Sequence, residues 1–104
     1  MTFEWKRPWE KFPGNTPEDD ELARETAPGH PMFGMPVRTI AARIDCDDYL
    51  FEMLDGSGRY AVVHLTWRKE SDPAWPHTEI YASFQEWAEK RFIPDVTDFL
   101  EEES

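Results

Sequence analysis

Three runs of strand length, VRTIAARI (37–44), DYLFEML (48–54) and RYAVVHLTW (59–67), follow one another with only DCDD and DGSG at their junctions. A parallel crossover needs a dozen residues or more, so connections this short force antiparallel hairpins and hence a meander. Tyr49, Phe51 and Met53 alternate onto one apolar face of the second run, and Ala61, Val63, Leu65 and Trp67 onto one face of the third. The two faces coincide when cross-strand partners sum to an even number. A loop Gly56-Ser57-Gly58 closed by Asp55 and Arg59 gives that parity and puts Gly58 where positive φ is wanted. A four-residue loop at 45–48 pairs Ile44 with Tyr49 and adds Ile40, Ala42 and Ile44 to the same face.

Upstream, Phe3, Trp5, Trp9 and Phe12 are spaced among Pro8 and Pro13, an aromatic arm rather than an unbroken helix. Thr16 has the character of an N-cap, with Pro17 at the first helical position and acidic residues in the first turn. The helix that follows, about 17–26, offers only Leu22 and Ala23 to a core and is expected on the surface. APGHPMFGMP (27–36) excludes regular structure. Downstream, RKESDPAWPHTEI (68–80) is a long polar loop, with a short extended stretch near Glu79–Tyr81. Ser83 and Glu86 form a capping box for a helix that aligns Phe84, Trp87, Ala88 and Phe92 on one face. Pro94 is expected to end it, and Asp95 to cap a final short helix with Val96, Phe99 and Leu100 inward.

The expected organisation is an aromatic arm with a short surface helix over 1–28 and one α+β domain over 29–104. Its fold is a three- or four-stranded antiparallel meander with the C-terminal helix packed on one face. The expected core is Ile40, Ala42, Ile44, Phe51, Met53, Val63, Leu65, Trp67, Phe84, Trp87 and Phe92. At 104 residues a chain buries roughly two thirds of its unfolded surface, so no disulfide or metal staple is required. Cys46 is the one cysteine, and no apolar run approaches a membrane span, so the expected setting is a reducing cytoplasm.

Charge narrows the partners. Eleven Lys and Arg stand against 22 Asp and Glu, a net charge of −11, and residues 76–104 alone hold two basic and eight acidic residues. Such a field repels phosphate backbones and anionic lipid, so neither nucleic acid nor a membrane surface is expected as a partner, whereas a basic protein is.

Chemistry-bearing patterns are sparse. With the registers above, Glu52 lies diagonal to His64 and to Arg43, a polar row on the second face amid Val37, Leu50, Leu54, Tyr60 and Val62. A carboxylate beside a histidine can serve as an acid/base pair, with Arg43 holding the carboxylate ionised; a charged row on a half-solvated face is the structural alternative. Trp67, Trp75 and Tyr81 surround His77 and Thr78, so His64, Trp67, Trp75 and His77 are candidate ligand-binding residues. No metal site is expected, because Cys46, His30, His64 and His77 have no ligand spacing and Asp45, Asp47 and Asp48 lack the pattern of a calcium loop. Phosphate-cradling and nucleophile-elbow motifs are absent, and no cofactor is expected.

GHPMFG (29–34), YAVVHLTW (60–67) and AWPHTEIY (74–81), followed by SFQEW (83–87), resemble the pattern of a small family of intracellular bacterial proteins. The resemblance covers about residues 29–93 and implies a bacterial, cytoplasmic protein; the family has no known activity and brings no catalytic residues. In size and acidity the chain also resembles toxin-neutralising immunity proteins. The leading expectation is a non-catalytic binding module for a basic protein. The alternative is a small enzyme or ligand-binding protein using a His/Trp-lined pocket with Glu52 and His64. Monomer and homodimer both remain open, the latter assembled through the second face of the sheet.

Overall fold

The computed structural model describes residues 3–12 and 17–103. Nine elements follow in order: β1 (Trp9–Lys11), α1 (Pro17–Glu25), β2 (Val37–Arg43), β3 (Asp48–Met53), β4 (Tyr60–His64), β5 (Thr78–Tyr81), α2 (Phe84–Trp87), a π-helical turn (Ala88–Phe92) and α3 (Ile93–Glu103). The strands form one antiparallel sheet in the order β1-β2-β3-β4-β5. The α+β class agrees with the sequence, but the sheet has five strands rather than three or four. The extra strand comes from the arm, where Trp9–Lys11 pairs with Ala41–Arg43. Three residues broken off by prolines are too few for alternation to reveal.

Parity is as expected in the second hairpin and beside the turn of the first, where both registers slip by two, and it changes in the first hairpin beyond a bulge. Glu52 stands opposite Tyr60 and Asp48 opposite His64, because the turn after β3 is longer than three residues: the Met53 N–H bonds the Arg59 carbonyl at 3.0 Å. Asp55 organises that turn by accepting from the Ser57 N–H and hydroxyl, with Gly56 and Gly58 at φ of 84° and 76°. In β2 a bulge between Thr39 and Ala41 turns Ile40 away from the Phe51 face. Thr39 takes its place there, fully buried, with its N–H and hydroxyl both donated to Asp19 of α1.

The helices cover the sheet differently from the expected arrangement. Trp87, Phe92 and Val96 pack with Trp9, Ala41, Leu50, Val62 and Tyr81, on the face expected to be half-solvated. The opposite face, with Phe51, Met53, Ala61, Val63 and Leu65, is covered by Leu22 of α1 and by Met32 of the proline-rich segment. So α1 is no surface helix: Leu22 is 1% exposed and Glu25 fully buried. Both faces of the sheet are thus covered by described residues. Ile44 and Trp67, expected in the core, are exposed, since both lie just beyond their strands.

Ser83 caps α2 by accepting from the Glu86 N–H at 3.1 Å, and Glu86 accepts in return from the Ala82 N–H at 2.7 Å. Pro94 does not end the helix. The wider π-helical turn, in which the Ile93 N–H bonds the Ala88 carbonyl, accommodates a residue that has no N–H and carries a ring. Asp95 therefore lies inside a continuous helix, and Leu100 faces out at 55% exposure. The expected Thr16 cap of α1 lies outside the described residues. No helix among the described residues is long and apolar enough to cross a membrane.

Candidate functional site

The expected polar row is split in two. Along its face β3 presents Asp48, Leu50 and Glu52 in turn, and buried Leu50 separates the two carboxylates. At one end Glu52 accepts from Arg38 and, at 3.2 Å, from the Tyr60 hydroxyl. At the other end His64 meets Asp48, its Nδ1 lying 2.8 Å from Oδ1. Glu52 and His64 are thus not neighbours: the two-residue slip gives His64 a different carboxylate. Arg43 also leaves Glu52, pairing bidentately with Asp45 at 2.8 and 2.7 Å and reaching Asp95 at 3.3 Å.

Arg91 organises the Asp48 end. Its guanidinium donates to Asp48, to Glu79 at 3.1 Å and to Asp95 at 2.8 Å, and its carbon sits 5.8 Å from the centre of the Trp9 ring. Asp95 also accepts from the Trp9 indole N–H at 3.0 Å. The π-helical turn delivers Arg91 here, so helix, arm and sheet are fastened at one point. Burial raises the Asp48 carboxyl, but the His64 hydrogen bond and the Arg91 guanidinium outweigh it and hold the group below its usual value. Native Asp48 therefore binds its proton more weakly than in the unfolded chain. The stability it contributes is complete above its ordinary value of 3.8 and is lost as pH falls through the lowered native one. Asp48→Asn should accordingly lower the thermal midpoint at neutral pH and flatten its decline below about pH 4. An acid limb identical to that of the wild type would rule out this assignment.

Chemically, Asp48 and His64 form an oriented carboxylate–imidazole pair with a half-exposed imidazole. No activated nucleophile accompanies it. Cys46 is raised by desolvation and by the carboxylates of Asp48 and Asp45, which keeps it a thiol at neutral pH. No group of three or more metal-ligating side chains occurs among the described residues.

The four candidate ligand-binding residues do not share one pocket wall. His64 faces Asp48 on the helix side, whereas Trp67 leans on Tyr49, with ring centres 6.0 Å apart, on the opposite side. Trp75 and His77 are exposed on the long loop, and the His77 carbonyl accepts the His64 N–H at 3.0 Å. A groove of about 710 Å³ lies elsewhere, between the arm and the C-terminal helices. Phe3, Phe84, Ala88, Phe92, Ile93 and Val96 give it an apolar lining, with Glu4 and Lys6 beside them. The spacing of Phe84, Ala88 and Phe92 was the sequence signal for one wall, and the aromatic arm that begins at Phe3 was the signal for the other.

Two further residues escaped the sequence reading. His30 is buried between the two proline-rich loops. Its Nδ1 accepts the Met32 N–H at 2.9 Å, so Nε2 carries the proton toward the Pro76 carbonyl at 2.8 Å. Glu25 accepts from the Thr66 N–H at 2.7 Å, the Thr66 hydroxyl at 2.9 Å and the Trp67 N–H at 2.8 Å. That carboxylate holds Trp67 at φ 59°, a left-handed conformation unusual for a bulky residue. Its spacing from Leu22, i to i+3 on one helix face, was the available signal.

No protein-family model matches the chain, and neither a curated protein nor a solved structure shows significant similarity to it.

Proposed function

We propose that this protein is a non-catalytic binding module that uses its acidic surface to engage a basic protein partner in the cytoplasm. The observation that supports this reading is how its charge is distributed. Arg24, Arg38, Arg43, Arg59, Arg68, Lys90 and Arg91 are each paired with a carboxylate of the same chain. Glu10, Asp20, Asp47 and Asp98, all exposed, make no ion pair among the described residues. Internal pairing thus engages seven of the eleven cations, Lys6, Arg7, Lys11 and Lys69 being exposed with no ion pair among the described residues. The net charge of −11 still leaves a negative excess, the arrangement that steers a cationic protein. Capture on the immobilised protein at about 0.1 M salt should retain a stoichiometric basic protein, released at about 1 M where the screening length falls to about 3 Å. Retention indifferent to salt would reject the reading.

A second reading, a small enzyme or ligand-binding protein, draws on the Asp48–His64 pair, whose half-exposed imidazole is placed to exchange a proton with a bound molecule. It requires that His64→Ala fold normally and lose a ligand response that Glu52→Gln, at the far end of the row, retains.

A further inference from the structure

We infer that the corner formed by Phe12, Tyr49 and Trp67 seats a cationic side chain of the basic partner, an inference that rests on the binding-module reading above. Tyr49 is the middle ring. Phe12 stands 6.1 Å from it at 82°, and Trp67 stands 6.0 Å from it at 77°, so two rings rise nearly perpendicular to a third. Aromatic faces attract ammonium and guanidinium groups within about 6 Å of their centres.

Two carboxylates address the same corner. Partial burial raises the Tyr49 phenol, and the negative charges of Glu18, in the first turn of α1, and Asp47, in the turn before β3, raise it further. Glu18 is half-exposed, and its Oε2 has no hydrogen-bond partner among the described residues. A half-exposed carboxylate whose charge acts on Tyr49 offers an arriving ammonium or guanidinium a charge-assisted acceptor. Arg68, next to Trp67 in sequence, is engaged by Glu70 at 3.6 Å.

The way Trp67 is held is the third observation. Trp67 is 44% exposed, yet its backbone is fixed in a strained conformation by the fully buried Glu25. Strain maintained by a buried carboxylate in order to present an indole at the surface is the mark of a pre-organised contact rather than of core packing.

The probe is a hexaarginine peptide, titrated calorimetrically into the full chain at about 0.15 M salt. Trp67→Ala should weaken binding about tenfold and Glu18→Gln several-fold, whereas Asp98→Asn, which removes one negative charge on α3, should leave it within about twofold. A hexacitrulline peptide, neutral but of the same shape, should not bind measurably. Equal losses from Glu18→Gln and Asp98→Asn would overturn the seat, leaving only a diffuse acidic surface. So would wild-type affinity in Trp67→Ala, and both variants replace exposed or half-exposed side chains outside the two core clusters. Failure of the parent reading is distinguishable: the peptide then binds in a Trp67-dependent manner while no basic protein is retained from the lysate.

Discussion

Trp87→Ala is expected to cost about 3–5 kcal/mol and to lower the thermal midpoint by more than 10 °C, on the order of 4–8 °C for each kcal/mol in a domain of this size. Trp87 is fully buried, and the rings of Phe3, Trp5, Trp9, Phe84 and Phe92 surround it with centres 5.3 to 6.2 Å away. Truncation would leave a cavity that no single neighbour can fill, in a fold whose whole stability is on the order of 5–15 kcal/mol. Trp87→Phe should cost much less, because it keeps a ring in place and removes an indole N–H that has no hydrogen-bond partner among the described residues. Chemical denaturation read by circular dichroism measures both. An alanine variant within about 1 kcal/mol of the wild type would show that arm and helix do not converge on this residue.

The second large effect is at Glu25. Glu25→Ala removes the acceptor of two backbone N–H groups and one hydroxyl at Thr66 and Trp67, and should cost about 2–4 kcal/mol. It should also release Trp67 from its left-handed conformation and alter the near-ultraviolet dichroism. Glu25→Gln separates charge from shape. Burial, reinforced by a hydrogen bond with Glu21, raises the Glu25 carboxyl despite the three donors facing it. The native state therefore holds this proton more tightly than the unfolded chain does. Stability falls as pH rises from the ordinary value of 4.5 through the raised one, and Glu25→Gln should abolish that fall. A wild-type pH profile in the glutamine variant would contradict the assignment.

Both effects fall on residues of differing legibility, and the contrast is instructive. Trp87 could be read from the capped 3.6-residue stripe it shares with Phe84 and Phe92, and the hairpins could be read from alternation and turn residues. Which face the helix takes could not. Leu50 and Val62 are as apolar as Phe51 and Val63, so β3 and β4 read as strands buried on both sides, and alternation carries no preference between them. The bulge at Ile40 depends on Asp19, twenty residues away, receiving the Thr39 N–H, and no local pattern encodes that contact. The same limit governed the candidate sites. A slip of two residues keeps every side chain on its face but changes its neighbour, so His64 stayed in the expected layer and exchanged Glu52 for Asp48. Trp67 looked like core because it continued the period of β4 past the strand's end, where Glu25 turns the chain outward.

The junction of Trp9 with Asp95 spans 86 positions, and it sets an order of events for a chain made from its N-terminus onward. Leu22, Met32, Phe51, Met53, Ala61, Val63 and Leu65 all lie within the first 65 residues, so one side of the sheet can close while synthesis continues. The other side, with Ala41, Leu50 and Val62, has only the arm to cover it until Trp87, Phe92 and Val96 emerge. Contacts of such sequence separation form slowly, and the partly covered side offers apolar surface for association in the interval. Every nascent copy therefore passes through a period with one face closed and the other only partly covered.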